Sequence, residues 1–83
     1  MKITVYTTGT CGYCKMLKHW LQEKHIAFTE YRVDTNPYAA QMMVNMSGQM
    51  GVPFSTIEHE DGTDTDMIIG FDRPTFERIL KVS

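Results

Sequence analysis

The chain has 83 residues, 42% hydrophobic and 22% charged, with a formal net charge of −2 at pH 7. That length suits one small domain, residues 1–83, with one core, and the apolar fraction drives folding rather than disorder. Eight basic against ten acidic residues leave no basic excess for a phosphate backbone, so nucleic acid is not an expected partner, no apolar run nears the roughly 18 residues that span a bilayer, and the amino end is too short and polar for a secretory leader, which points to the cytosol.

Lys2 to Thr7 alternates Ile3 and Val5 with Thr4 and Tyr6, the period of a strand, and Thr8-Gly9-Thr10 follows as turn chemistry. From about Gly12 to His25, Tyr13, Leu17, Trp20 and Leu21 fall at i, i+4, i+7 and i+8, which predicts an amphipathic helix. Ile26 to Val33 is rich in aromatic and β-branched residues and predicts a second strand. Asp34-Thr35-Asn36-Pro37 then supplies a cap and a proline at a first helical position. The helix so begun, about Pro37 to Met46, carries Ala39, Met43 and Met46 on one face and stops at Ser47-Gly48. Gly51-Val52-Pro53 breaks regular structure. Phe54 to His59 and Thr65 to Ile69 flank Glu60-Asp61-Gly62-Thr63-Asp64, and the Asp-Gly pair predicts an antiparallel hairpin. Asp72 caps a last helix, about Arg73 to Val82, with Phe76, Ile79 and Leu80 as its apolar stripe. The seven methionines read as gap-fillers of a small core.

The order is βαβ followed by αββα. A right-handed crossover makes the first two strands parallel, and the hairpin completes a four-stranded mixed sheet with three helices on its two faces, an α/β fold. The first helix then starts at the carboxyl end of a parallel strand, where ligand sites of open α/β sheets lie.

Cys11 and Cys14 are the only cysteines, and a pair this close is a poor staple, so the thiols are there for chemistry. At a helix N-terminus unpaired N–H groups favour a thiolate, which makes Cys11 the nucleophile. Cys14, one turn on with its sulfur turned toward the protein, suits resolution of a mixed disulfide. Lys15 adds a nearby positive charge, and Lys18 and Lys24 make the helix basic. A metal reading competes, because Cys11, Cys14, His19 and His25 spell C-x2-C-x4-H-x5-H, close to a zinc knuckle. In one continuous helix residues 11 and 25 would lie about 20 Å apart, too far for one tetrahedron, so the histidines read as solvated. Glu58, Glu60, Asp61, Asp64 and Asp66 crowd the hairpin without the spacing of a calcium loop.

The run Tyr6-Thr7-Thr8-Gly9-Thr10-Cys11-Gly12-Tyr13-Cys14-Lys15, then Gly51-Val52-Pro53, then Ile69-Gly70-Phe71-Asp72, resembles the glutaredoxins in motif, order and spacing. Ser47 to Pro53 and Ile68 to Asp72 are most similar to the small prokaryotic glutaredoxin-like redoxins, kin to those that reduce ribonucleotide reductase. The resemblance implies a thioredoxin fold and a dithiol oxidoreductase that reduces protein or mixed disulfides through Cys11 and Cys14. It implies a cis Pro53 packed against the cysteines, a Val52 backbone that pairs with substrate, and a groove bordered by Gly12 and Tyr13. It also implies that Gly70, Phe71 and Asp72 meet the γ-glutamyl end of glutathione, with Asp72 either pairing its ammonium or serving as a plain cap. No tightly bound cofactor is implied. The resemblance implies glutathione or another low-molecular-weight thiol as a possible co-substrate, glutathione or thioredoxin reductase as electron donor, and a monomer. Three departures stand out: Thr8 where glutathione-using members carry Lys, Ile69-Gly70 where they carry paired glycines, and Gly12 where many have Pro. The first two leave thioredoxin reductase as a rival donor. The third resembles members that carry a two-iron two-sulfur cluster bridged by the equivalent of Cys11, with glutathione completing the site, which is the alternative function.

Overall fold

The structure, a computed structural model, describes residues 1–82. The elements follow in the expected order: β1 (Lys2–Thr7), α1 (Gly12–Glu23), β2 (Thr29–Arg32), α2 (Pro37–Ser47), β3 (Phe54–Glu58), β4 (Asp66–Ile69) and α3 (Arg73–Leu80). The sheet runs β2-β1-β3-β4. β1 pairs parallel with β2, placing Thr7 opposite Arg32, and antiparallel with β3, placing Tyr6 opposite Phe54. β3 and β4 form the antiparallel hairpin.

The alternation of β1 splits the expected single core into two. Ile3 and Val5 face α1 and α3, joining Leu17, Trp20, Leu21, Ile57, Ile68 and Phe76. Tyr6 faces the other way and packs with Phe54 and with Ala39 and Met43 of α2. Successive strand residues point to opposite faces, so a sheet covered on both sides needs a cluster on each.

Local chemistry explains most boundaries. Asn36 caps α2, its side chain accepting from the N–H groups of Tyr38 and Ala39 at 3.1 and 3.2 Å. The cap is thus the asparagine beside Pro37, and Asp34 is free for another task. Gly48 ends the helix in the left-handed region at φ 70°, where glycine has no Cβ penalty.

Four expectations need correction. The first helix stops at Glu23, not His25. His25 adopts φ 56°, its N–H reaches Gln22 O, and the Ile26 N–H reaches Leu21 O at 2.9 Å. This is a Schellman closure in which Ile26 turns into the first core cluster. Ile26 and Phe28 are therefore apolar because they pack on that cluster, and the second strand covers only Thr29–Arg32 at the sheet edge. On α1 the buried stripe is Cys14, Leu17, Trp20 and Leu21, whereas Tyr13 is 66% exposed. Among the methionines Met43 fills core, but Met42, Met46 and Met67 are exposed and line an open groove of about 400 Å³ with Tyr6 and Tyr31 on the α2 face of the sheet. Neither cysteine lines that groove, and neither do Val52, Pro53, Gly70, Phe71 and Asp72.

Candidate active site

β1 delivers the chain to the loop Thr8–Thr10, and Cys11 is the N-cap of α1 in extended geometry, φ −86° and ψ 112°. A short side chain at this position accepts from an N–H of the first turn, and a cysteine does so through sulfur: the Cys14 N–H points at Cys11 Sγ across 3.1 Å. The helix N-terminus is thus aimed at the sulfur expected to carry negative charge. Cys14 is fully buried, its Cα lies 5.2 Å from that of Cys11, and the two are joined as a disulfide. The inward-facing second cysteine anticipated from spacing is what the helix presents.

The other two motifs converge on this pair. The Val52–Pro53 peptide is cis, as the family resemblance implied, and Pro53 is fully buried. The Val52 carbonyl oxygen lies 3.8 Å from Cys11 Sγ. The Gly70 N–H donates to Pro53 O at 2.8 Å, which ties the Gly70-Phe71-Asp72 segment to the same corner. Gly70 has φ 80°, a conformation that glycine adopts readily and a side chain would resist. Phe71 turns its ring away, to a centroid 6.1 Å from that of Trp20, so only its backbone is left to the site. Asp72 caps α3, accepting from the Thr75 hydroxyl at 2.6 Å and from the Thr75 N–H at 3.4 Å. Gly12 faces open space, and Tyr13 and Lys15 lie exposed on the outer side of α1.

The four residues of the zinc spacing do not gather. His19 pairs with Glu23 at 2.5 Å and His25 lies beyond the helix end. Among the described residues no three His, Cys, Asp or Glu side chains cluster as a metal site.

Two polar clusters under the loop were not foreseen. The buried Thr7 hydroxyl donates to Glu30 Oε2 at 2.6 Å, and Lys18 Nζ reaches the same oxygen at 2.8 Å. Lys18 is thus committed to an ion pair and is not simply a charge beside the thiol. Burial works to raise the Glu30 carboxyl, but hydrogen bonds from Lys18 and Thr7 and the charges of Lys18 and Arg32 outweigh it and hold it below its ordinary value. Asp34 accepts the Gly9 N–H at 3.0 Å while Arg32 forks onto it at 2.9 and 2.7 Å. The Arg32 bonds, followed by that from Gly9, keep Asp34 well below the usual carboxylate range. No local signal announces either cluster, because both depend on the parallel pairing of β1 with β2.

Comparison with known proteins agrees with this arrangement. The family profile described as glutaredoxin matches residues 3–58. A glutaredoxin-like 8.6 kDa protein encoded in the rubredoxin operon of Clostridium pasteurianum is 30% identical over 79 residues, covering 95% of this chain and 97% of that one. The NrdH-redoxin of Escherichia coli superposes with a TM-score of 0.76 at 25% identity, covering 95% of both chains. The thioredoxin-like protein BC3987 superposes with a TM-score of 0.80 at 24% identity, over 94% of this chain and 99% of that one. The fold is thioredoxin-like, and with the cysteine pair at the head of α1 and the family profile spanning that pair, the chain belongs to the glutaredoxin family.

Proposed function

We propose that the protein is a cytoplasmic dithiol oxidoreductase that reduces disulfides of protein substrates, with Cys11 as nucleophile and Cys14 as resolving thiol. The observation that carries this reading is Cys11 Sγ at the N-cap of α1, 3.1 Å from the Cys14 N–H and 3.8 Å from the Val52 carbonyl, with Cys14 buried behind it. In the reduced protein the Cys11 thiolate attacks one sulfur of a substrate disulfide, forming a Cys11–substrate bond and releasing the other sulfur as a thiolate. Cys14 loses its proton and attacks Cys11 Sγ, the second substrate thiolate leaves, and the Cys11–Cys14 disulfide remains. Two electrons have passed to the substrate, and a thiol or dithiol reductant restores the pair.

The proximity of Cys11 to Val52 supports strand-like pairing of an extended substrate segment with the Val52 backbone, which supplies affinity with little sequence selectivity. Gly12, Tyr13, Pro53, Gly70, Phe71 and Asp72 shape the groove, Phe71 through its backbone. Thr8 carries no charge, and the neighbouring Arg32 guanidinium is already held by Asp34. This favours a protein dithiol reductase of the thioredoxin reductase type over glutathione as electron donor. The Escherichia coli NrdH-redoxin, similar in fold, is described as having a thioredoxin-like activity profile.

The test is reduction of a model disulfide by NADPH with thioredoxin reductase, set against NADPH with glutathione and glutathione reductase. The first couple should sustain turnover and the second should not. Cys11→Ser should abolish turnover with either, and a fully active Cys11→Ser protein would refute the assignment. Cys14→Ser should lose protein-disulfide reduction, while any reaction with a glutathione mixed disulfide should survive because it needs Cys11 alone.

A further inference from the structure

Gly9, two residues before the nucleophile, lies on exposed loop backbone, yet its N–H is taken by a carboxylate from 25 positions away. That carboxylate, Asp34, is gripped by Arg32 through both Nε and Nη2. The guanidinium also lies directly against the Gly9 backbone, so a Cβ added at Gly9 would overlap it. The base of this arrangement is firm: Arg32 is paired with Thr7 in the parallel ladder, the Val33 N–H donates to Thr7 O at 2.9 Å, and the Asn36 N–H donates to Arg32 O at 2.9 Å. The loop Thr8–Thr10 is thereby fastened to the end of β2, while within itself the Cys11 N–H reaches Thr8 O only at 3.5 Å.

We propose that Arg32 and Asp34 are positioning residues for the thiol chemistry, forming a latch that holds the loop before Cys11 so that its sulfur stays in the N-cap position facing the Cys14 N–H. This deepens the reading of Cys11 as nucleophile and rests on it. The reason lies in the geometry of the cap. Cys11 benefits from the helix N-terminus only while its sulfur remains within reach of the first-turn N–H groups, and that field fades within one turn. A loop held only by its own long hydrogen bond would let the sulfur swing out. The latch also leaves Asp34 ionised throughout the pH range in which thiols titrate, since Arg32 and Gly9 both favour its charged form.

The experiment is alkylation of the reduced wild-type protein and of Asp34→Ala with iodoacetamide, followed by mass mapping of the modified cysteine, across neutral to alkaline pH. The sign of the change discriminates. Charge alone predicts that removing Asp34, a negative group near the loop, favours the Cys11 thiolate and speeds alkylation at neutral pH. The latch predicts the opposite: a rate lower by about threefold to tenfold, the equivalent of one hydrogen bond, a pH midpoint moved upward, and rates that converge at alkaline pH where every thiol is ionised. Asp34→Asn keeps the size and one acceptor oxygen but loses the ion pair, and is expected to fall between the two. It carries the same test should Asp34→Ala not fold. All rates are taken well below the thermal midpoint, so a general loss of stability does not imitate the effect. Variants that alkylate as fast as wild type or faster overturn the latch. A wild-type protein that does not react first at Cys11 overturns the nucleophile assignment and the latch with it.

Discussion

Gly12→Pro is expected to stabilise the protein. Gly12 is the first residue of α1 and sits between the two cysteines. Proline is welcome at a first helical position because the N–H it removes has no partner within the helix. It also requires an extended residue before it, and Cys11, at φ −86° and ψ 112°, already is one. A Cβ at Gly12 meets nothing within 4 Å. The native state therefore loses nothing, and the Cys14 N–H that faces Cys11 Sγ is untouched. The unfolded chain loses the freedom of a glycine, and the expected gain is about 1 kcal/mol, the upper end for substitutions of this kind. For a domain of this length that raises the thermal midpoint by about 4–8 °C. Thermal unfolding followed by far-ultraviolet circular dichroism, run separately on the disulfide and reduced forms, measures it. Both forms should shift upward, because the argument uses backbone geometry and not the crosslink. An unchanged or lowered midpoint would refute the reasoning.

Two further outcomes follow from packing and charge. Because the folded protein holds the Glu30 carboxyl below its unfolded value, its stabilising effect is complete above the unfolded carboxyl range, about pH 4.3, and is lost as pH falls through the folded value. Wild type should thus lose thermal stability between about pH 5 and about pH 3 more steeply than Glu30→Gln, which keeps an acceptor for the Thr7 hydroxyl, and parallel curves would exclude the effect. Phe76 is fully buried with its ring 6.0 Å from Trp20, and Phe76→Ala should remove about 3–5 kcal/mol in urea unfolding, a large share of the roughly 4–12 kcal/mol available to a domain this size. A loss below about 1 kcal/mol would mean that this ring does not anchor the α1–α3 cluster.

The elements with local signatures were legible. The alternation of β1, the Asn36-Pro37 start and Gly48 end of α2, the Asp72 cap of α3 and the cysteine at the head of α1 all appear where the residues announce them. The failures have local causes too. The end of α1 lacks the usual glycine, because the left-handed position is taken by His25 and closure relies on Ile26 reaching Leu21. Tyr13 shares the helical spacing of the apolar stripe, yet the small Cys14 occupies the buried place. An apolar side chain also does not declare its destination: Met43 is core, while Met46, three residues on, lines an open groove.

Capping, periodicity and motif spacing all operate within a few residues of chain, and they sufficed for the order of elements, the cysteine pair at the head of α1 and the family. What surrounds the sulfur comes from contacts far apart in the chain. Val52 O reaches Cys11 Sγ across 41 positions, Asp34 reaches Gly9 across 25, and Glu30 reaches Thr7 across 23. These meetings follow from the pairing of β1 with β2 on one side and β3 on the other, a choice made by the whole set of buried contacts at once. No window of sequence contains that choice, since each long-range contact contributes only in the company of the others.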